Sequence, residues 1–201
     1  MPYCHFTLKK VQQAFDITII ETSDLFADIE PKEISPHLQE TLIDNVALAV
    51  AINTEKARSE LIIAPVLIEI RKLFNKQISL FSGVEMTVDK ERDLTGFCDF
   101  IISQSPEQLF LKTPVITVVE AKNENIMSGL GQCAAEMIAA SLFNQQEATP
   151  LNIIYGVVTS GNLWKFLKLE NNTISIDLSD YPIKEVNKIV GILCAMVGQN
   201  N

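Results

Sequence analysis

Glycine and proline are sparse in this 201-residue chain, eight of each. They are scattered, so no linker, repeat or low-complexity tract marks a domain boundary. Cysteine is scarcer: Cys4, Cys98, Cys133 and Cys194 lie far apart, with no CxxC pair and no clustered histidines. That argues against a zinc site and a disulfide framework, and it fits a reducing cytoplasm. His5 and His37 have no acidic cluster near them and read as surface or cap residues. The opening MPYCHFTLKK lacks the basic-then-apolar pattern of a signal peptide. No apolar run approaches the roughly 20 residues that span a bilayer, so no membrane segment is expected. Positive charge is also short, with 16 Lys and Arg against 25 Asp and Glu and a net charge of −9. An acidic surface repels a phosphate backbone, which disfavours charge-driven binding of nucleic acid in general. Such contact would need a local basic patch or a bound cation.

What is present describes a globular chain: 47% hydrophobic and 20% charged residues, enough for one domain over residues 1–201 with a sizeable core. Thr7–Phe15 has Leu8, Val11 and Phe15 on one helical face behind a Thr7 N-cap. Ile17–Glu21 reads as a short strand. Ser35 and Pro36 open an amphipathic helix running to Ile52; residues 1–53 thus form an N-terminal helical extension packed on the rest. Thr54–Asn75 is a longer helix that Pro65 should kink or restart. Glu60 sits in its apolar half, where a surface position is the plainer alternative. From Gln77 the period changes to two, and Val84–Ser103 reads as a β-hairpin turning at Asp89–Asp93. A helix over Asn125–Asn144 carries Ile126, Leu130, Cys133, Met137, Ala140 and Phe143 on one face, with Gly129 and Gly131 permitting close approach. Gln132 and Glu136 lie one turn apart beside that face. Strands over Leu151–Thr159, Leu163–Glu170 and Thr173–Leu178 and a last helix, Ile183–Val197, complete an α/β (α+β) chain with a mixed sheet flanked by helices.

The informative stretch is Pro114–Lys122, PVITVVEAK. Its β-branched run reads as a buried central strand, yet it ends in Glu120-Ala121-Lys122. Alternation puts Glu120 and Lys122 on one face, roughly 6.5–7 Å apart along the strand. Asp99 lies inside the returning hairpin strand, between Phe97, Phe100 and Ile101, where aspartate is depleted unless it faces solvent on an edge. If the two strands pair, two carboxylates meet at one sheet edge beside a lysine. Hard oxygen donors of that kind suit Mg²⁺ or Mn²⁺, and the chemistry implied is phosphodiester hydrolysis.

Asp99 followed by Glu120-Ala121-Lys122 resembles the signature of the PD-(D/E)XK nuclease superfamily, and the likeness extends over roughly residues 55–169. Ser59-Glu60 with Pro65 and Leu67, SELIIAPVL, is similar to the acidic helix before the hairpin in many members. Gly96-Phe97-Cys98-Asp99-Phe100 resembles their Gly-x-Pro-Asp-Phe/Tyr strand, with Cys98 where proline is usual. Gln132 resembles the glutamine on the following helix, and Gly156–Phe166 is similar to a strand–turn–strand in nuclease domains of type I restriction subunits. The resemblance implies a restriction-endonuclease-like fold and a metal-dependent endonuclease acting on nucleic acid, with DNA the expected form. It implies Asp99, Glu120 and the Ala121 carbonyl as metal ligands and Lys122 positioning the attacking water. Glu60 is then expected in the outer part of the site and Gln132 orienting water or substrate. Many such nucleases act as dimers, so a homodimer is a further expectation. Arg58, Arg71, Lys72, Lys76, Lys90 and Arg92 flank the proposed site and are candidates for a local basic patch. Two other readings use the same residues. One is a catalytically silent binding or assembly module of the same fold; the other is a structural ion pair in an unrelated α/β protein.

Overall fold

The computed structural model describes residues 3–198. Each early helix starts where the chain supplies an acceptor for its first free N–H groups. Thr7 accepts from the Lys10 N–H ahead of α1 (Leu8–Phe15). Ser35 does the same for Leu38 ahead of α2 (Pro36–Ile52), with Pro36 in the first turn. The helix expected over 54–75 is three pieces: α3 (Glu55–Arg58), a π-helical turn (Ser59–Ile63) and α4 (Ala64–Leu73). Pro65 explains the break. It offers no N–H to the Leu61 carbonyl, and Asn45 of α2 donates to that oxygen instead, at 3.0 Å.

Between α1 and α2, β1 (Thr18–Thr22) joins the sheet, so the first 53 residues contribute a strand as well as helices. The other strands are β2 (Ser79–Glu85), β3 (Phe97–Ser103), β4 (Val115–Ala121), β5 (Ile153–Thr159), β6 (Leu163–Glu170), β7 (Thr173–Asp177) and β8 (Tyr181–Pro182). They form one eight-stranded mixed sheet in the order β1-β7-β6-β5-β4-β3-β2, with β8 on β6. β4 runs antiparallel to β3 and parallel to β5. The hairpin of β2 and β3 pairs as expected but is wider: beyond Glu85 and Phe97 the ladder gives way to single bonds from Met86 to Gly96 and from Val88 to Leu94 and a bridge between Asp89 and Leu94.

Two apolar layers cover the sheet. One holds residues of α2, the π turn, α4 and α6 (Val186–Gly198) against Ile116 and Val119. The other packs α5 (Leu130–Gln146), preceded by a 3-10 turn (Ile126–Gly129), against Val118, Ile154 and Val158. The chain is thus a mixed α/β fold, a central mixed sheet flanked by helices. The helix expected over 125–144 is longer and more apolar than its sequence reading allowed. By length and composition alone, residues Ile126–Gln146 could cross a membrane, which corrects the expectation that no run approaches that length. Here the segment is a core helix, with Asn144 joined to the Val115 backbone by two bonds of 2.7 Å. That pair of hydrogen bonds fixes α5 on the start of β4, and so sets which of its residues reach the other end.

Candidate active site

All seven residues of β4 are buried, because β-branched side chains fill the space on both of its faces. Val119 packs toward α4 and α6 and Val118 toward α5, so alternation turns Glu120 toward α5. There Gln132 Nε2 donates to Glu120 Oε2 at 2.7 Å and to Glu136 Oε1 at 3.1 Å. Lys122 Nζ donates to Glu120 Oε1 and, at 3.4 Å, to Gln132 Oε1. Asp99 arrives from β3. The β3–β4 ladder ends at Phe100 and Val119, and beyond it Asp99 Oδ2 accepts the Ala121 N–H at 2.7 Å. Asp99, Glu120, Lys122 and Gln132 therefore meet at the end of β4, with the Ala121 backbone between the strands.

Glu60 does not join them. Its carboxylate pairs with Lys56 at 2.8 Å on the exposed side of the helix. The π turn accounts for this, since one extra residue per turn shifts the helical phase and a face counted at 3.6 residues no longer lines up across it. The helix acid whose charge reaches Lys122 is Glu55, at the start of α3. Glu136 is the other residue that sequence reasoning left out of the site. Its spacing from Gln132 was visible, but its complete burial was not.

The electrostatics are lopsided. Asp99 and Glu120 share one ammonium group, and Glu136 lies behind Gln132. Burial, then the neighbouring Asp99 charge, pushes the Glu120 carboxyl from 4.5 up to about 7. Burial raises Asp99 as well, and burial followed by Glu120 raises Glu136 well above the usual carboxylate range. A proton held on Glu136 is shared with Glu120 through a side-chain hydrogen bond. Burial works against the Lys122 charge, but Glu120, Glu55 and Asp99 together more than offset it, and the amine holds its proton more firmly than usual.

The surrounding elements fix this end of the sheet. The Lys122 N–H donates to the Thr159 carbonyl at 2.8 Å. Gly129 leaves room for the Lys122 stem, because a Cβ there would stand 2.7 Å from Val158 Cγ1 and 3.1 Å from Lys122 Cε. Arg58, buried at the end of α3, donates to Asn123 Oδ1, the Ser160 carbonyl and Asn53 Oδ1, each at 3.1 Å. It ties α3 to both turns that leave the sheet here. Three of the six basic residues expected to flank the site are engaged elsewhere. Arg58 is inside, Arg92 pairs with Asp89 at 2.7 Å and lies over the Phe15 ring, and Lys72 faces Glu69 at 3.7 Å. These three do not converge.

No group of three or more His, Cys, Asp or Glu side chains arranged to hold a metal occurs among the described residues. A magnesium-type ion does not require one, since it is commonly held by one or two carboxylates, water and substrate phosphate. Asp99 and Glu120 fit that donor chemistry. They are adjacent hard oxygen groups that share a single lysine, and a cation taking the place of their protons would relieve the crowding that raises their proton affinities. Compared with known proteins, the chain matches no family model, and no curated protein is significantly similar to it.

Proposed function

We propose that the chain is a metal-dependent nuclease of restriction-endonuclease-like fold, hydrolysing phosphodiester bonds in nucleic acid, with DNA the expected substrate. The observation that carries this reading is the meeting of Asp99, Glu120, Lys122 and Gln132 at one sheet edge. Asp99 and Glu120, with the Ala121 carbonyl, would hold Mg²⁺ or Mn²⁺. When bound, such an ion offsets the charge that grows on the phosphoryl group. Lys122, charged and anchored by Glu120, directs Nζ as a donor toward the attacking water or a phosphoryl oxygen. Gln132 holds the Glu120 carboxylate in place and is itself held by Glu136. As the water oxygen bonds to phosphorus, the bond to the leaving oxygen breaks, and the water's proton passes to solvent or to a carboxylate of the cluster. A cytoplasmic location belongs to the same proposal.

A second reading, a silent module of the same fold, is favoured by one detail. Both Glu120 oxygens are already engaged, one by Lys122 and one by Gln132. Two measurements separate the readings. Calorimetric titration with Mn²⁺ should show uptake that Asp99→Ala and Glu120→Ala remove; no such uptake would sink the site. Incubation of plasmid, linear and single-stranded DNA with Mn²⁺ should give cleavage that Lys122→Ala loses. Metal uptake with equal inactivity of wild type and variant on every substrate would establish the silent module.

A further inference from the structure

A groove lies where α5 ends, β5 begins and β6 turns into β7. It is made of two adjoining hollows of about 160 and 260 Å³, which share Ser141, Gln145, Leu169, Asn171 and Asn172. Because β4 and β5 run parallel, this is the opposite end of the sheet from Glu120. Asn152 completes the polar rim, and Ile138, Ile154 and Leu169 supply apolar walls. The chain has 25 aspartates and glutamates, yet among the described residues none lines either hollow. Among those residues, the side chains of Ser141, Gln145, Asn152, Asn171 and Asn172 make no hydrogen bond within the chain. The charged group on the wall is Arg92, at the end of the groove beside Phe15. Its Nε donates to Asp89 at 2.7 Å, and its two outer nitrogens make no hydrogen bond among the described residues.

We propose that this groove binds a nucleotide, its base held by the carboxamides and its phosphate by Arg92. A carboxamide presents a donor beside an acceptor, the pattern that the edge of adenine offers in return. Four of them on one rim can meet such an edge and the ribose hydroxyls without placing a charge against the base. The apolar walls suit the faces of a flat heterocycle, whereas a sugar alone would set hydroxyls against them. The free side of the Arg92 fork matches a phosphate, and no carboxylate on the wall repels it. A hairpin turn accounts for an asparagine at 171, where φ is 52° to 53° in the left-handed region. It does not account for the convergence of Gln145 and Asn152 on that turn. The inference does not depend on the proposed nuclease activity.

Calorimetric titration of the whole chain with AMP tests it, and the expected Kd is on the order of 0.1 mM. Ribose 5-phosphate, which lacks the base, should bind at least about tenfold more weakly. Adenosine should bind about fivefold more weakly than AMP, and Arg92→Gln should abolish that difference. The double variant Gln145→Ala with Asn172→Ala should lose at least about tenfold in AMP affinity. Its melting curve should be unchanged, since both side chains are exposed. An oligo(dA) strand that displaces AMP would assign the base to a strand, and one that does not would assign it to a free nucleotide; either supports the groove as a nucleotide site. No heat up to about 5 mM AMP overturns the inference. So does ribose 5-phosphate binding as tightly as AMP, or a double variant that binds AMP as the wild type does.

Discussion

Lys122 and Lys165 are both largely withdrawn from water, with 21% and 6% of their side chains exposed, yet their surroundings are opposites. Lys165 Nζ donates to the carbonyls of Asp177, Leu178 and Ser179 and pairs with Asp180 at 2.7 Å. Asp177, beneath it, accepts from the Ser179 N–H and the Tyr181 hydroxyl. The polar groups around that lysine answer one another. Lys122 instead faces Glu120 and Asp99, with Glu136 behind Gln132, and the proton affinities of all three carboxylates are raised. A satisfied buried lysine holds a fold together. A crowded acidic cluster opposes folding, and its presence calls for an explanation outside stability.

That contrast is sharpest in catalysis. Lys122→Met should lower DNA cleavage by about 10³-fold or more, while Lys165→Met leaves the rate per folded molecule unchanged; comparable losses in both variants would erase the distinction. The next effect is on pH. The Glu120 carboxyl is raised from 4.5 to about 7, so across that interval the folded chain binds a proton that the unfolded chain has released. The Glu120 contribution is therefore fully favourable below about pH 4.5 and declines as pH rises to about 7. The loss is on the order of 3 kcal/mol. In metal-free buffer, urea unfolding should record this fall in the wild type, and Glu120→Gln should flatten it. A wild-type profile without slope in that window would show that the crowding carries no cost. Lys165→Met should cost about 2–3 kcal/mol at every pH in the same assay, since it strands three carbonyls and the partly exposed Asp180. Smallest of all, Glu60→Ala should leave both melting temperature and cleavage nearly unchanged, within about twofold in rate. A large loss of cleavage there would return Glu60 to the site.

Much of this was legible in the chain because the relevant signals are local. A β-branched run between Pro114 and Lys122 has few conformations open to it but a buried strand. Thr7 and Ser35 announce their helices through side-chain acceptors, and Gly129 and Gly131 mark close approach before any neighbour is known. The helix face of residues 54–75 was misread because Pro65 introduces a π turn, and phase across such a turn depends on how Asn45 satisfies the stranded Leu61 carbonyl. That is a contact between helices, not a sequence period. Glu136 and Arg58 were obscured for a related reason. Burial of a charged residue depends on what packs over it, and both are covered by elements distant in the chain.

The pairing of β1 with β7 has a consequence for how the chain is made. Thr18 lies beside Thr173 and Thr22 beside Asp177, so the first strand synthesised waits for almost the last one before it gains a neighbour. During translation the N-terminal segment must remain unpaired while β2 through β6 assemble, and closing that long loop late raises the entropic barrier to folding. Refolding should therefore be slow for a domain of this size, and the β1 edge should be the last part of the sheet to resist hydrogen exchange.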